Sequence, residues 1–192
     1  MFQSITMQTN KIKNGKIIYQ GEFLNNKYHG KGTYFYSNGM IYSGEFYNGQ
    51  VHGLGKLTLK NGTFKGSFVN GTIQGHGTSN INGESYCGEW NNGLAHGQGT
   101  MNYFNGDLYA GEWKNAKKEG FGKFYYQGEF TDRYEGDWKE DVKCGFGIRW
   151  LPNGNRYEGE WINDKRHGKG ILYYANGTIY EGLFENGKIC QI

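Results

Sequence analysis

An internal period of 22 to 25 residues constrains this chain more than any other feature it has. The element Tyr-x-Gly-Glu-aromatic begins at Tyr19, Tyr42, Phe64, Tyr86, Tyr109, Tyr134, Tyr157 and Tyr180, in steps of 23, 22, 22, 23, 25, 23 and 23 residues. A second element, mostly His-Gly-x-Gly, and then a turn separate successive copies. The fourth copy shows the unit cleanly: Tyr86-Cys87-Gly88-Glu89-Trp90, then His96-Gly97-Gln98-Gly99, then Asn105-Gly106. A unit this short has no interior of its own, so it buries apolar surface only by stacking on its neighbours.

Nearly all 34 glycines belong to the period. Eight sit in the first element, fourteen form seven Gly-x-Gly pairs, and eleven follow Asn in Asn-Gly turns; only Gly128 is left, in the one unit of irregular length. Asn-Gly is a strong hairpin signal because both residues accept the positive φ of a type I′ turn. Residues two apart along a strand share a face. Tyr86, Gly88 and Trp90 therefore share one, as do Gly97, Gly99, Met101 and Tyr103, which sets rings beside bare backbone. Glu89, His96 and their equivalents go to the other face, where they are expected to form cross-strand polar pairs. The fold class is all-β: an elongated, twisted antiparallel sheet of about eight tandem hairpins. Residues 1–18 form a cap or partial repeat, 19–187 the array, and 188–192 the end of an incomplete unit.

Composition agrees. A mean hydropathy of -0.79 with 17 % aromatic residues suits neither a compact aliphatic core nor a disordered chain. The formal charge of +3, spread without a long basic run, leaves no nucleic-acid footprint. Cys87, Cys144 and Cys190 are far apart and odd in number, which argues against both a disulfide framework and a zinc site. No secretory h-region precedes Lys16, so a cytoplasmic setting is expected.

These residues resemble the MORN repeat (membrane occupation and recognition nexus), whose Tyr-x-Gly-Glu-Trp…His-Gly-x-Gly pattern runs here from about residue 15 to 187. The resemblance implies hairpin arrays that present a face or groove to protein partners. Such arrays occur in radial spoke heads of cilia, junctional membrane proteins, cytoskeletal scaffolds, lipid kinases and SET methyltransferases. Departures are Ser67 for Glu, Gln74, Glu119 and Cys144 at the His position, and a long fifth unit containing the near-copy Tyr126-Gln127-Gly128-Glu129-Phe130. A kink or bulge is expected between about Lys117 and Arg133.

The recurring His29, His52, His96 and His167 suggest a repeat-structural role rather than catalysis or metal binding, and neither a nucleophile elbow nor a phosphate loop is present. No cofactor is expected. Function is sought instead where the polar face turns apolar, at Phe35, Tyr125, Ile148, Trp150, Ile171 and Tyr173, with Arg149 intruding on the ring-bearing face. Grouped exposed aromatics mark a candidate interface. A second candidate is the open edge of the last unit, at Tyr180, Phe184, Ile189 and Ile192, where the array would pair with its own copy or another subunit. The reading is a non-catalytic scaffold of a ciliary axonemal or cytoskeletal complex. The alternatives are an acidic-lipid module using Lys117/Lys118 or Lys165/Arg166/Lys169, or an adaptor for an enzyme supplied in trans.

Overall fold

The computed structural model describes residues 6–129 and 131–190, which hold seventeen β-strands and one short 3-10 turn. Contacts divide the chain into two compact units, Met1–Leu94 and Ala95–Ile192. In the first, β1 (Thr6–Lys13), β2 (Lys16–Leu24), β3 (Lys27–Phe35), β4 (Ile41–Tyr47), β5 (Gln50–Leu59), β6 (Gly62–Val69), β7 (Thr72–Ile81) and β8 (Glu84–Asn91) pair antiparallel in chain order. The second does the same with β9 (Leu94–Asn102), β10 (Leu108–Lys114), β11 (Lys117–Tyr125), β12 (Arg133–Lys139), β13 (Val142–Trp150), β14 (Arg156–Ile162), β15 (Lys165–Tyr173), β16 (Ile179–Glu185) and β17 (Lys188–Ile189). The fold is all-β, tandem antiparallel hairpins in a sheet that does not close.

Each repeat is an even-numbered strand from β2 onward, a two-residue turn, and the strand that follows. The turns put both central residues in the left-handed region, as at Asn48 (φ 51) and Gly49 (φ 90). Four do so without glycine, at Asn25–Asn26, Asn115–Ala116, Glu140–Asp141 and Asn163–Asp164. Between repeats, Asn38-Gly39, Asn105-Gly106, Asn153-Gly154 and Asn176-Gly177 form a different turn in which only the glycine has positive φ. At Asn61-Gly62 the turn is Lys60–Asn61, and Gly62 already belongs to β6.

The rings of Tyr19, Tyr42, Tyr109, Tyr134 and Tyr157 each lie on two glycines. A Cβ on Gly32 would come within 2.3 Å of the Tyr19 hydroxyl, and one on Gly21 within 2.5 Å of the Gly32 Cα. Ring, first-element glycine and second Gly-x-Gly glycine are therefore one packing device. The hydroxyl then donates to the carbonyl three residues on: Tyr42 to Glu45 O at 3.0 Å, Tyr157 to Glu160 O at 2.9 Å. Burial pushes Tyr19, Tyr42 and Tyr157 up to about 12, with Tyr109 and Tyr134 raised for the same reason.

Rings also join repeats. Tyr42 meets Phe46 of its own unit at 5.2 Å and Phe68 of the next at 5.1 Å, both edge to face. Tyr134 repeats this with Trp138 and Trp161. Edge-to-face pairs of this kind add about 0.5–1.5 kcal/mol beyond the area they bury. The indole N–H of Trp161 reaches back to Gly147 O at 3.0 Å, and Trp113 to Gly99 O at 3.1 Å. Together these contacts form the core, which is aromatic apart from Ala95 and Leu172: Tyr19, Tyr42, Tyr109 and Tyr134 are fully buried.

Candidate interaction surface

The first glycine of each Gly-x-Gly pair makes a bulge. In β10–β11 the Cα partners step from Gly111↔Gly122 to Glu112↔Glu119, leaving Gly120 and Phe121 without opposite residues. Gly120 has φ +56, and a Cβ there would meet the Glu112 carboxylate at 2.5 Å. That carboxylate accepts the N–H of Phe121 at 3.2 Å. Glu22 does the same for Lys31 N, Asp137 for Phe146 N, and Glu160 for Lys169 N. The motif carboxylate thus satisfies a backbone donor that the bulge takes out of the ladder. Its Cα does lie opposite the His position, as in Glu160↔His167, but its bond is to backbone.

The His position serves the next hairpin. His52 Nδ1 accepts Asn70 N at 3.5 Å; the Gln74 side chain accepts Asn92 N at 3.0 Å; the Glu119 carboxylate accepts Glu140 N at 3.1 Å. Gln74 and Glu119, departures in sequence, do the histidine's work. The adjacent turn residue donates to the same strand, as Gly71 N does to Val51 O at 2.8 Å. Among the described residues, no three His, Cys, Asp or Glu gather as a metal site requires.

The residue before the His position differs between the two units. It is Tyr28, Val51 and Ile73 in the first; in the second it is Ala95 and then Lys118, Lys143 and Arg166. Lys118 Nζ lies 5.2–5.7 Å from the ring centroids of Trp138, Tyr103, Phe124 and Tyr109, and 3.5 Å from Asp141. Lys143 is held likewise by Trp138, Trp161, Tyr126 and Tyr134, and by Asp164. Arg166 lies over Tyr157 and Phe184 and donates to Gly187 O at 2.8 Å. The basic doublet and triplet legible in the sequence therefore turn their central cations into the ring face, and Lys117 pairs with Glu140 at 3.6 Å.

The long fifth unit keeps its strand register. β11 carries the same bulge as its neighbours, and the extra residues form a 3-10 turn at Tyr126–Gly128 and the loop after it. Arg149 fixes this loop, stacking on Tyr126 at 4.0 Å and pairing with Asp132. Its intrusion on the ring face is thereby explained.

On the opposite face of Ala95–Ile192 the register assembles a row: Leu108, Tyr125, Arg133, Trp150, Arg156, Tyr173 and Ile179. Arg133 stacks on Trp150 at 3.8 Å and Arg156 on Tyr173 at 4.2 Å. The next row runs Lys123, Glu135, Ile148, Glu158, Ile171, Glu181. Glu135, although partial burial works the other way, is held below the usual carboxylate range by hydrogen bonds from Arg133 and Lys123. Beyond a floor of glycines stand Phe121, Phe146 and Leu183, each at least half exposed. Part of this floor is a groove of about 750 Å³ between Phe146, Lys169 and Leu183 on one side and Glu158, Ile171 and Glu181 on the other.

Five of the six residues singled out in the sequence thus share one face of one unit. Phe35 is on β3 in the other unit, opposite Ile41. Of the last-unit residues, Phe184 is buried against Tyr157, Tyr180 lies on Gly182, and Ile189 pairs with Phe184; Ile192 lies outside the described residues. The arginines stacked between the aromatics went unseen, since each is 17 residues from its ring.

The MORN repeat model matches residues 19–41, 42–64, 64–79, 86–108, 109–129, 134–156 and 157–179. The chain belongs to the MORN-repeat family. Six of the seven matches open on a ring shown lying over paired glycines, so what the family model reads as sequence is the packing device described above. MORN repeats are a non-catalytic family, commonly scaffolds that bind proteins or membranes. No curated protein matches the chain.

Proposed function

We propose that this MORN array is a non-catalytic scaffold whose docking surface is the aromatic–arginine face of Ala95–Ile192. The observation that carries this is the row Tyr125–Arg133–Trp150–Arg156–Tyr173, in which rings and guanidinium groups are stacked before any partner arrives. Trp, Tyr and Arg supply most strong contacts at protein interfaces, and rigid side chains lose little entropy on binding. The motif rings and paired glycines serve the ring face, and the motif carboxylate on this face is bonded to the bulge N–H, which leaves the remaining positions to the partner.

The setting we propose is cytoplasmic, in a ciliary axonemal complex such as a radial spoke head or in a cytoskeletal assembly; its support is the contexts in which such arrays occur. A protein partner is favoured over acidic lipid because Lys118 and Arg166 are engaged on the ring face. Cross-linking mass spectrometry in the native cell tests both parts. Links from Lys123 and Lys169 to axonemal or cytoskeletal proteins, lost with Trp150→Ala/Tyr173→Ala, are the expected result. Links confined to a kinase, a methyltransferase or a membrane protein would refute the setting, and links that survive the double substitution would refute the surface.

A further inference from the structure

The first unit carries a different groove, and its charge is unbalanced. Met1–Leu94 has eight lysines, no arginine and four glutamates, whereas Ala95–Ile192 has 13 Lys plus Arg against 14 Asp plus Glu. On the face opposite the rings, Gly44, Gly55, Gly66, Gly77 and Gly88 floor a groove of about 650 Å³. One wall is the cross-strand row Ser43, Lys56, Lys65, Thr78, Cys87; Leu54 and His76 stand on the other.

Lys56 and Lys65 are Cα partners across β5–β6, and both are exposed. Three equivalent junctions carry a bonded pair, and β9–β10 sets Thr100 opposite Ala110. Thr33 and Ser43 share a hydrogen bond at 3.1 Å, Thr78 donates to Cys87 Sγ at 3.5 Å, and Lys123 pairs with Glu135 at 3.2 Å. Ile148 and Ile171 each face a glutamate, Glu158 and Glu181. Among the described residues, only β5–β6 sets like charge on like charge at this position, an arrangement that destabilises a sheet. Among the described residues neither lysine has an ion pair. The motif glutamate that would stand two residues from Lys65 is Ser67, and the Glu45 carboxylate is folded against Gly53.

We propose that this groove binds an acidic peptide segment of a partner protein, its carboxylate or phosphoryl group bridging Lys56 and Lys65. Ser43 and Thr78, whose hydroxyls are bonded to Thr33 and Cys87, flank the two lysines in the same row, so the two ammonium groups are the donors this wall offers an anion. Five strands span about 19 Å, the length of roughly six extended residues. A membrane is the poorer occupant, since two lysines near an anionic surface raise partitioning only about fivefold each. The site is separate from the aromatic–arginine face, so each stands or falls without the other.

The test uses the whole chain with a hexaglutamate peptide, a hexaglutamine control, and phosphatidylcholine vesicles containing phosphatidylserine. Hexaglutamate is expected to shift the amide resonances of Gly55, Gly66 and Gly77, to lose affinity as salt rises, and to bind at least tenfold more weakly to Lys56→Gln/Lys65→Gln. Trp150→Ala should leave this binding unchanged. Lys65→Glu should abolish binding yet raise the unfolding midpoint of the unliganded protein by about 2 °C, because it replaces a repulsive pair with an attractive one. Equal binding of the two peptides, undiminished binding to the double variant, or lysine-dependent capture of vesicles without the peptide would overturn the proposal.

Discussion

Replacing Tyr157 by Phe isolates the hydroxyl from the ring. The ring keeps its seat on Gly159 and Gly170, its edge contact with Trp161 and its contact with Phe184, at 5.4 and 4.9 Å. What is lost is the O–H donated to Glu160 O at 2.9 Å, with a longer branch to His167 O at 3.4 Å. A net intramolecular hydrogen bond contributes about 0.5–1.5 kcal/mol, and a buried carbonyl left short of a donor adds to the loss. The expected cost is therefore about 1–2 kcal/mol, or roughly 2–8 °C in the midpoint of a chain this size. The third repeat provides the reciprocal experiment. Phe64 sits over Gly77 as Tyr157 sits over Gly170, but has no hydroxyl. Phe64→Tyr should place one against Ser67 O and gain about 0.5–1 kcal/mol. Urea unfolding followed by circular dichroism measures both. A Tyr157→Phe cost below about 0.3 kcal/mol, or a loss from Phe64→Tyr, would show that ring packing alone seats these residues and that the bond is incidental.

The other expectations concern charge, backbone and pH. Asp141→Asn leaves Lys118 among four rings without its carboxylate and should cost about 1–3 kcal/mol, while Lys118→Met/Asp141→Gly, which copies the Val51/Gly71 arrangement, should recover most of it in the same unfolding assay. Ala116→Gly should stabilise by about 1 kcal/mol, because Ala116 holds φ 63 at a turn position where four other repeats have glycine and the rest have Asn or Asp. Gly120→Ala should destabilise by more than the roughly 1 kcal/mol expected of Gly93→Ala, since its Cβ meets the Glu112 carboxylate while that of Gly93 meets nothing. The tyrosines raised to about 12 fold with their protons on, so their contribution is complete below the unfolded value near 10 and is lost as pH rises toward about 12. The last part of the tyrosinate absorbance should therefore rise together with the loss of circular dichroism in that window; ionisation of all sixteen tyrosines near pH 10 without unfolding would contradict the burial argument.

The repeat, the strands, the ring face and most of the aromatic–arginine surface are legible in the sequence, because each follows from a period of 22 to 25 or of two. What escaped depends on pairs far apart in the chain. Gln74 looks like a lost histidine until its bond to Asn92, eighteen residues on, shows that any acceptor fills the slot. The motif glutamate reads as half of a cross-strand pair with the histidine until the bulge at Gly30, Gly120, Gly145 and Gly168 reveals the backbone donor it serves. The lysine pair was hidden by one turn. Asn61-Gly62 reads as the hairpin, which would set Lys56 opposite Ser67. The structure turns at Lys60–Asn61, which aligns Gly55 with Gly66 and brings the lysines together.

A division of labour within the repeat follows, and it explains why a motif this strong says so little about partners. Tyr, both paired glycines and the Trp act toward the ring face, the His position closes the next hairpin, and the carboxylate on the opposite face is taken up by the bulge N–H. None constrains the residues that flank the glycine floor on the opposite face. Those positions carry lysine and hydroxyl in Met1–Leu94, but arginine, aromatic and glutamate in Ala95–Ile192. One backbone therefore presents two surfaces of different chemistry without altering a motif residue. Selectivity in such an array is written in the side chains that the repeat pattern leaves unspecified, and an unmatched pair there, like Lys56 opposite Lys65, is where a ligand is to be sought.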